Sequence, residues 1–168
     1  IESGEKLWEY SPKMLVYDPE ILWTEKEVLI FDMKWLDTNE IAFTAGYDVY
    51  LINTEGKVLW KYNYTDNVWK IDVVDDLNDD GKNDLVVGTQ KGEILVLNGA
   101  TGELIKKFKI CKDYEVINPA TNSKRGIVSR SVWDIISFGK DIAISCEDGY
   151  VYYIDLTTEN VKWSQEII

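Results

Sequence analysis

Short runs of β-branched and aromatic residues recur along the chain, and glycine, asparagine and aspartate separate them. Side chains of the first kind pack well on a pleated surface, and the separating residues favour tight turns. No stretch shows the apolar period of an amphipathic helix. The pattern therefore predicts an all-β protein whose strands are joined by hairpins.

The runs occur in groups of four, and the group repeats along the chain. The turn before the last run of each group is marked by Asn53, Asn98 and Asp155. Four antiparallel strands repeated at intervals of about 40 to 60 residues are typical of a propeller blade. Because one blade cannot bury both of its faces, neighbouring blades are expected to stack against it.

These blades are predicted to form a single β-propeller segment over residues 1–168. The predicted units are four-stranded blades at 28–62, 63–109 and 132–168, an interblade insertion at 110–131, and a connection with one orphan outer strand at 1–27. The orphan strand is the stretch 4–8, which resembles 56–60. Propellers usually contain about four to eight blades, so these units are too few to close an ordinary ring. The sequence thus predicts a partial propeller, or one that is completed by other chains.

The stretch 92–106 and the tryptophan that ends 56–60 resemble the pyrroloquinoline-quinone-like repeats of β-propeller proteins. In that family, a tryptophan at the end of the outer strand docks against the neighbouring blade. Trp60 and Trp163 fit this role, whereas Lys106 stands in place of tryptophan in the second blade. The resemblance implies an architecture rather than an activity, because unrelated functions share this scaffold.

The formal net charge is −12, and the sequence contains no histidine. The negative charge argues against binding to nucleic acid or to anionic membrane surfaces, because both would repel the chain. Without imidazole, the commonest general base is missing, and a bound metal must be held mostly by oxygen. This favours a hard cation such as calcium or magnesium.

Residues 76–84 carry the sharpest local signal, with the form D-x-N-x-D-G-x-x-D. The predicted metal ligands are Asp76, Asn78, Asp80, the carbonyl of Lys82, and Asp84. Oxygen atoms at alternate positions of a tight loop can converge on one cation, and the last carboxylate can close the shell. The predicted cofactor is one calcium ion.

The loop differs from an EF-hand, because the flanking runs are predicted strands and Val87 stands where an EF-hand carries its bidentate glutamate. It resembles the calcium loops of FG-GAP repeats in integrin-type propellers, which implies a structural ion between two strands. A solvated acidic turn is the alternative, because the same residue types are common turn formers. The equivalent loops of the other blades are too short for such a shell, so one site is expected.

Two further features leave alternatives open. The insertion at 110–131 contains the basic residues Lys124, Arg125 and Arg130, and it is either a binding loop or a solvated connection. Cys111 and Cys146 form either one disulfide or two buried thiols.

Aromatic residues occupy matching positions on the first strand of each predicted blade, namely Phe31, Trp69 and Trp133. They are expected either to line the central channel, where they could stack a sugar or a planar cofactor, or to pack in the core. Core packing is the simpler explanation.

The sequence shows no nucleophile paired with a general base, no G-x-S-x-G motif, and no adjacent cysteine pair like that of most quinoprotein dehydrogenases. We therefore predict a non-catalytic, calcium-binding propeller module that binds a protein or glycan at the cell envelope or outside the cell. One alternative is a fragment of a larger quinoprotein, lyase or hydrolase whose active site lies in further blades. Another is a structural subunit that completes a ring or filament with neighbouring chains, as a homo-oligomer for example. Neither nucleic-acid binding nor membrane insertion is expected.

Overall fold

The computed structural model describes residues 9–18 and 22–167, within which all regular secondary structure is β-strand. In the described part of the chain, three antiparallel sheets have four strands each, and two smaller sheets have two strands each. This confirms the prediction of an all-β fold built from four-stranded antiparallel blades. The predicted orphan strand at 4–8 lies outside the described residues. No helix able to cross a membrane occurs in the part of the chain that the structure describes.

The strands pair with their neighbours in sequence, as expected for blades joined by hairpins. A first hairpin consists of β1 (Lys13–Asp18) and β2 (Leu22–Glu27). The first blade consists of β3 (Ile30–Asp37), β4 (Glu40–Ala45), β5 (Asp48–Asn53) and β6 (Val58–Asn63). The second blade consists of β7 (Val68–Val74), β8 (Asp84–Thr89), β9 (Glu93–Leu97) and β10 (Leu104–Lys109). A second hairpin consists of β11 (Tyr114–Ile117) and β12 (Lys124–Val128). The third blade consists of β13 (Val132–Phe138), β14 (Asp141–Cys146), β15 (Tyr150–Asp155) and β16 (Asn160–Glu166).

Buried aliphatic side chains hold the blades face to face. We call the face of a blade that points toward the following blade its trailing face, and the opposite face its leading face. The core between the first two blades includes Ala42, Leu51, Leu85 and Leu95. The core between the second and third blades includes Val86, Val96, Ile142, Ile144 and Ile154. Burial of each larger aliphatic side chain contributes about 1.5–3 kcal/mol, so stacking is the main source of stability.

Polar contacts along the first strands add to this stacking. The Lys70 ammonium lies 3.9 Å from a carboxylate oxygen of Asp32 and 3.8 Å from one of Asp134, which belong to the blades on either side. The Ser137 backbone N–H donates to Asp72 at 2.8 Å, again from one blade to the next. The first strands therefore lie side by side at the inner edge of the three blades.

The interblade insertion at 110–131, which was predicted as a binding loop or a solvated connection, contains the β11–β12 hairpin. Its turn begins at Asn118, whose carbonyl accepts the N–H of Asn122 at 2.8 Å. Asn122 has a φ of 52°, a left-handed conformation that asparagine tolerates better than most residues. Both hairpins come directly before the first strand of a blade, so the chain carries an extra hairpin at the same position of the repeat in two places.

Candidate functional site

The loop at 76–84 joins β7 to β8 and contacts the corresponding turns of both neighbouring blades. The Lys82 ammonium pairs with the Glu40 carboxylate of the first blade at 2.5 Å. On the other side, the Lys140 ammonium of the third blade lies 4.0 Å from the Asp79 carboxylate, and Asp75, directly before the loop, donates its backbone N–H to the Gly139 carbonyl at 3.0 Å. A cation held in this loop would therefore act where three blades meet.

Asp76 organises the first half of the loop. One of its carboxylate oxygens accepts the N–H groups of Asn78 at 3.1 Å and Asp80 at 3.2 Å, and the other accepts the N–H of Gly81 at 2.6 Å. These hydrogen bonds, that from Gly81 most of all, lower the pKa of Asp76. Asp79 and Gly81 have φ values of 60° and 89°, which explains the glycine at the tightest point of the turn.

Asp80 lies between the loop and the next hairpin of the same blade. One oxygen accepts the Lys82 N–H at 2.9 Å, and the other accepts side-chain amide N–H groups from Asn78 at 3.1 Å and Asn98 at 2.7 Å. The Lys82 N–H is the main cause of the lowered pKa of Asp80. Sequence reasoning missed Asn98 as a site residue, although it placed the same residue at the turn that Asn53 and Asp155 mark in the other two copies of the repeat.

Asp84 lies at the base of the loop and is fully buried. Its carboxylate accepts the Leu77 N–H at 2.8 Å and the Gly99 N–H at 3.1 Å. Burial raises the pKa of Asp84 despite these bonds, and the charges of Asp80 and Asp76 raise it further. A buried carboxylate beside two others is electrostatically costly unless a proton or a cation offsets it.

The predicted ligands suit calcium chemically, because every donor atom is an oxygen. In this structure, however, the carboxylates accept N–H groups of the loop and its surroundings. Within the described residues, no group of three or more acidic, cysteine or histidine side chains is arranged so that it could hold a metal ion. The loop is thus a compact acidic turn with the right donors, and calcium binding stays a prediction.

Cys111 and Cys146 form a disulfide, which decides between the two alternatives that the sequence left open. The bridge joins the segment after β10 to the end of β14, and thus links the second blade to the third. Both cysteines are buried. Gly92 packs beside the bridge with a φ of +70°, and a Cβ there would lie 2.7 Å from the Cys111 Cβ and 2.2 Å from the Arg130 carbonyl.

The β11–β12 hairpin is anchored at its root by this disulfide and by two cation–π contacts. The Arg130 guanidinium lies 4.0 Å from the centre of the Tyr114 ring, and it also donates to the Glu147 carbonyl at 3.0 Å. The Lys112 ammonium lies 3.9 Å above the Tyr150 ring. Every residue of β12 is exposed, so the hairpin projects from the stacked blades.

Two of the three basic residues that the sequence singled out in the insertion make contacts inside it. Lys124 forms an ion pair with Glu115 across the hairpin. Arg130 is used at the root, as described above, whereas Arg125 is exposed. The exposed positive charges that the sequence singled out in the insertion therefore lie mainly on β12.

The three aromatic residues of the first strands form one row. Phe31 and Trp69 are stacked with ring centroids 5.6 Å apart, and Trp133 meets Trp69 edge to face at 5.6 Å. Each residue occupies a β-bulge at the start of its strand, which re-aims its side chain relative to the regular pleat. Phe31 and Trp133 stay partly exposed, so packing on each other accounts for only part of their surface.

The stacked four-stranded sheets define a β-propeller fold, and structural comparison supports this. No protein-family model and no curated protein matches the chain. The WD40 domain of Pan2 from Neurospora crassa is similar at 13% identity, with a TM-score of 0.59 over 86% of this chain and 40% of its own. U3-55K is similar at 13% identity, with a TM-score of 0.63 over 83% of this chain and 40% of its own. BamB from Moraxella catarrhalis is similar at 11% identity, with a TM-score of 0.52 over 78% of this chain and 38% of its own.

The chain thus spans about two fifths of the length of these propeller chains. At such low identity, the likeness shows the fold alone. The pyrroloquinoline-quinone-like character of the repeat and the FG-GAP character of the loop stay predictions.

Proposed function

We propose that this chain is a non-catalytic β-propeller module that binds a protein partner outside the cell or at the cell envelope. The observation that carries the proposal is the β11–β12 hairpin, which projects from the blades and is anchored by a disulfide. The disulfide supports a location outside the cell or at the cell envelope, because disulfides persist mainly in oxidising environments. The exposed surface of the hairpin supports a protein as the binding partner.

The hairpin presents apolar side chains that the blades do not cover. Ile127 is 68% exposed, and Tyr114, Ile117 and Val128 are also exposed. A two-stranded hairpin alone is marginally stable in water. The anchored root therefore helps to keep the two strands paired and the apolar surface in place. Exposed aliphatic groups beside the exposed Arg125 fit a protein surface that has an apolar centre and a carboxylate at its rim.

A protein fits this surface better than a glycan does. Sugars are commonly bound by stacking on aromatic faces, and Tyr114 is the aromatic residue of the hairpin. Its ring already carries the Arg130 guanidinium at 4.0 Å on one face. The remaining contacts would be aliphatic, and these favour a protein surface.

The loop at 76–84 is proposed to bind one calcium ion with a structural role. The donors would be Asp76, Asn78, Asp80, the Lys82 carbonyl and Asp84, all of them oxygen atoms in or beside one turn. Support comes from the carboxylate of Asp84, which is fully buried beside two other carboxylates; burial first, and then the charges of Asp80 and Asp76, raise its pKa. Because the loop contacts both neighbouring blades, the ion would stiffen all three.

A photo-crosslinking experiment tests the binding role. A photoreactive amino acid replaces Ile127 on the hairpin or, as a matched control, Glu55 in an exposed turn of the first blade. Each protein is produced in the cells that make this chain naturally. We expect one protein adduct from position 127 and none from position 55. Absence of an adduct at position 127, or the same adducts from both positions, would contradict the proposal.

A second candidate function, that of a structural subunit completing a larger ring, is favoured by one observation. The trailing face of the third blade carries Ile136 and Trp163 open to solvent, whereas the trailing faces of the first two blades are covered.

A further inference from the structure

The register of β11 and β12 gives the projecting hairpin two different faces. In an antiparallel pair, directly opposed residues point to the same face, and successive residues of a strand alternate between faces. Tyr114 is opposed to Val128, and the next residue, Glu115, is opposed to Ile127. The glycine face therefore carries Tyr114, Val116, Gly126 and Val128, and the charged face carries Glu115, Ile117, Lys124 and Ile127.

Two side-chain contacts agree with this division of the hairpin. Lys124 forms its ion pair with Glu115, and both residues belong to the charged face. The Arg130 guanidinium, two residues beyond Val128, lies over the Tyr114 ring, and these residues belong to the side of the glycine face. None of the four residues of the glycine face is itself charged. The hairpin thus has one apolar face and one face crossed by an ion pair.

Gly126 has no role in the packing or the backbone conformation of the chain itself. Glycine in the middle of a strand is unfavourable, because it has no side chain to pack and loses more conformational freedom on folding than other residues. Among the glycines that the structure describes, Gly126 alone has neither a left-handed φ nor any atom within 4 Å of a Cβ built on it. The β-bulge at Arg125 does not require it either, because a bulge that needs glycine places it at positive φ.

The missing side chain leaves a notch in the glycine face. Val116 lies opposite Gly126 on β11, and Val128 is the next residue of β12 on the same face. Residues of one face are about 7 Å apart along a strand, so the notch has the width of a single side chain. Its walls are apolar. A large apolar side chain on a neighbouring strand is known to cover a strand glycine in this way.

A further strand has room to pair with β12. Within the described residues, β12 pairs with β11 alone, and every residue of β12 is exposed. An open edge of this kind presents backbone N–H and C=O groups with which an extended segment can form hydrogen bonds. Because the side chains of an added strand alternate between faces, that strand would contact Gly126 on one face and Ile127 on the other.

Arg125 places a positive charge at the same edge. It is the unpaired residue of the β-bulge, and a bulge re-aims its side chain relative to the regular pleat. Arg125 is exposed, and it forms no ion pair with any acidic residue in the part of the chain that the structure describes. Lys124, in contrast, is already paired with Glu115. A carboxylate on the added strand could therefore form a charge-assisted pair with Arg125.

We propose that the protein partner adds a β-strand to the open edge of β12, with one large apolar side chain over Gly126 and a carboxylate beside Arg125. This inference rests on the proposed function, and it specifies how the partner binds and the chemistry of the bound segment. The occupant is a protein strand, because the edge offers backbone hydrogen bonds in a strand repeat that a glycan or a lipid cannot match.

The photo-crosslinking assay at position 127 measures this contact when a second substitution is added. Gly126→Val fills the notch, and Thr121→Val, in the exposed turn of the same hairpin, is the matched control. Valine favours strands more than glycine does, and nothing lies within 4 Å of the added Cβ, so the Tm of Gly126→Val should be unchanged or higher. Its adduct yield should fall about tenfold or more, whereas Thr121→Val should keep the full yield.

The charge and the strand pairing are tested separately. Arg125→Glu should lower the adduct yield several-fold, whereas Arg125→Lys should keep most of it. Mass spectrometry of the adduct identifies the crosslinked segment, which should contain a large apolar residue and an acidic residue close together. A synthetic peptide with the sequence of that segment is then the probe. Added to the chain, it should slow hydrogen exchange at the backbone amides of residues 126–128, and it should have no such effect on Gly126→Val.

The outcomes separate this inference from the proposed function. If the chain without further substitutions gives no adduct, the proposed function is wrong and the inference is overturned with it. If an adduct forms and Gly126→Val leaves its yield unchanged, a partner binds the hairpin in another way, and the strand addition alone is overturned. The strand addition is also overturned by a lower Tm of Gly126→Val, by an adduct with a glycan, a lipid or a second copy of this chain, or by a peptide that binds without slowing amide exchange.

Discussion

Replacing Asp80 with asparagine is the sharpest test of the proposed calcium loop. Asparagine keeps the size of the side chain and an oxygen for the Lys82 N–H, but it removes one negative charge from the predicted shell. Asp79→Asn is the matched control. Its side chain is 95% exposed, it occupies the position directly before Asp80, and its φ of 60° is one that asparagine tolerates. Both variants change the net charge equally. Comparing each variant with and without calcium isolates the loss of a ligand, because the amide hydrogen bonds that Asp80 accepts from Asn78 and Asn98 are disturbed in both conditions.

The expected magnitude follows from mass action. Oxygen-ligand sites on extracellular modules bind calcium at about 10⁻⁴–10⁻³ M. At about 10 mM calcium, such a site stabilises the folded chain by about 1.4–2.7 kcal/mol. Chains of roughly this size gain about 2–4 °C in Tm per kcal/mol, so Tm should rise by roughly 3–11 °C. Asp79→Asn should retain that rise, and Asp80→Asn should lose most of it.

The assay is thermal unfolding of the three proteins, each in chelator and then in calcium, together with calorimetric titration at constant ionic strength. Screening by added salt affects all three proteins alike, so it cancels in the comparison. An equal calcium-dependent rise in the Tm of the two variants would show that calcium stabilises the fold by offsetting its overall negative charge rather than by binding in the loop. If the wild-type protein shows neither heat nor a change in Tm, the loop is a solvated acidic turn and the reasoning is refuted.

Three further predictions concern the blades. Replacing both Cys111 and Cys146 with alanine should lower the free energy of unfolding by about 4 kcal/mol in denaturant titrations, because the bridge closes a loop with a sequence separation of 35; the wild-type protein under reducing conditions should match the variant, and an unchanged midpoint would contradict this. Trp60→Ala should cost about 3 kcal/mol by the same measurement, whereas Trp163→Ala, at an open face, should cost clearly less; equal losses would contradict the difference in packing. The pKa of Asp141 is lowered in the folded state, so its contribution to stability is present above the unfolded pKa of about 3.9 and is lost as pH falls through the folded value. Asp141→Asn should therefore flatten the fall in Tm below about pH 4. An unchanged fall in Tm at acid pH would argue against the ion pair with Lys162.

The sequence by itself determined the strands, the turns and their grouping into blades. These features are local, because the pattern of β-branched residues selects an extended backbone and Asn98, Gly102 and Asp155 select turns. The repeat then implied stacking, since no single blade can bury both faces. The loop at 76–84 was also visible, because its residues are consecutive and its spacing needs no information from the fold.

Only the tertiary structure decided which residues far apart in sequence meet, both within a blade and across blades. The Asn98 amide reaches Asp80, and the buried Asp84 carboxylate reaches the Gly99 N–H, because the turn before β10 folds back over the loop. Cys111 lies close enough to Cys146 to form a disulfide because the second blade stacks on the third. The first two contacts depend on how the turns of one blade fold over each other, and the third depends on how two sheets stack, which core packing over the whole segment sets. A linear pattern of residue types carries no record of that geometry.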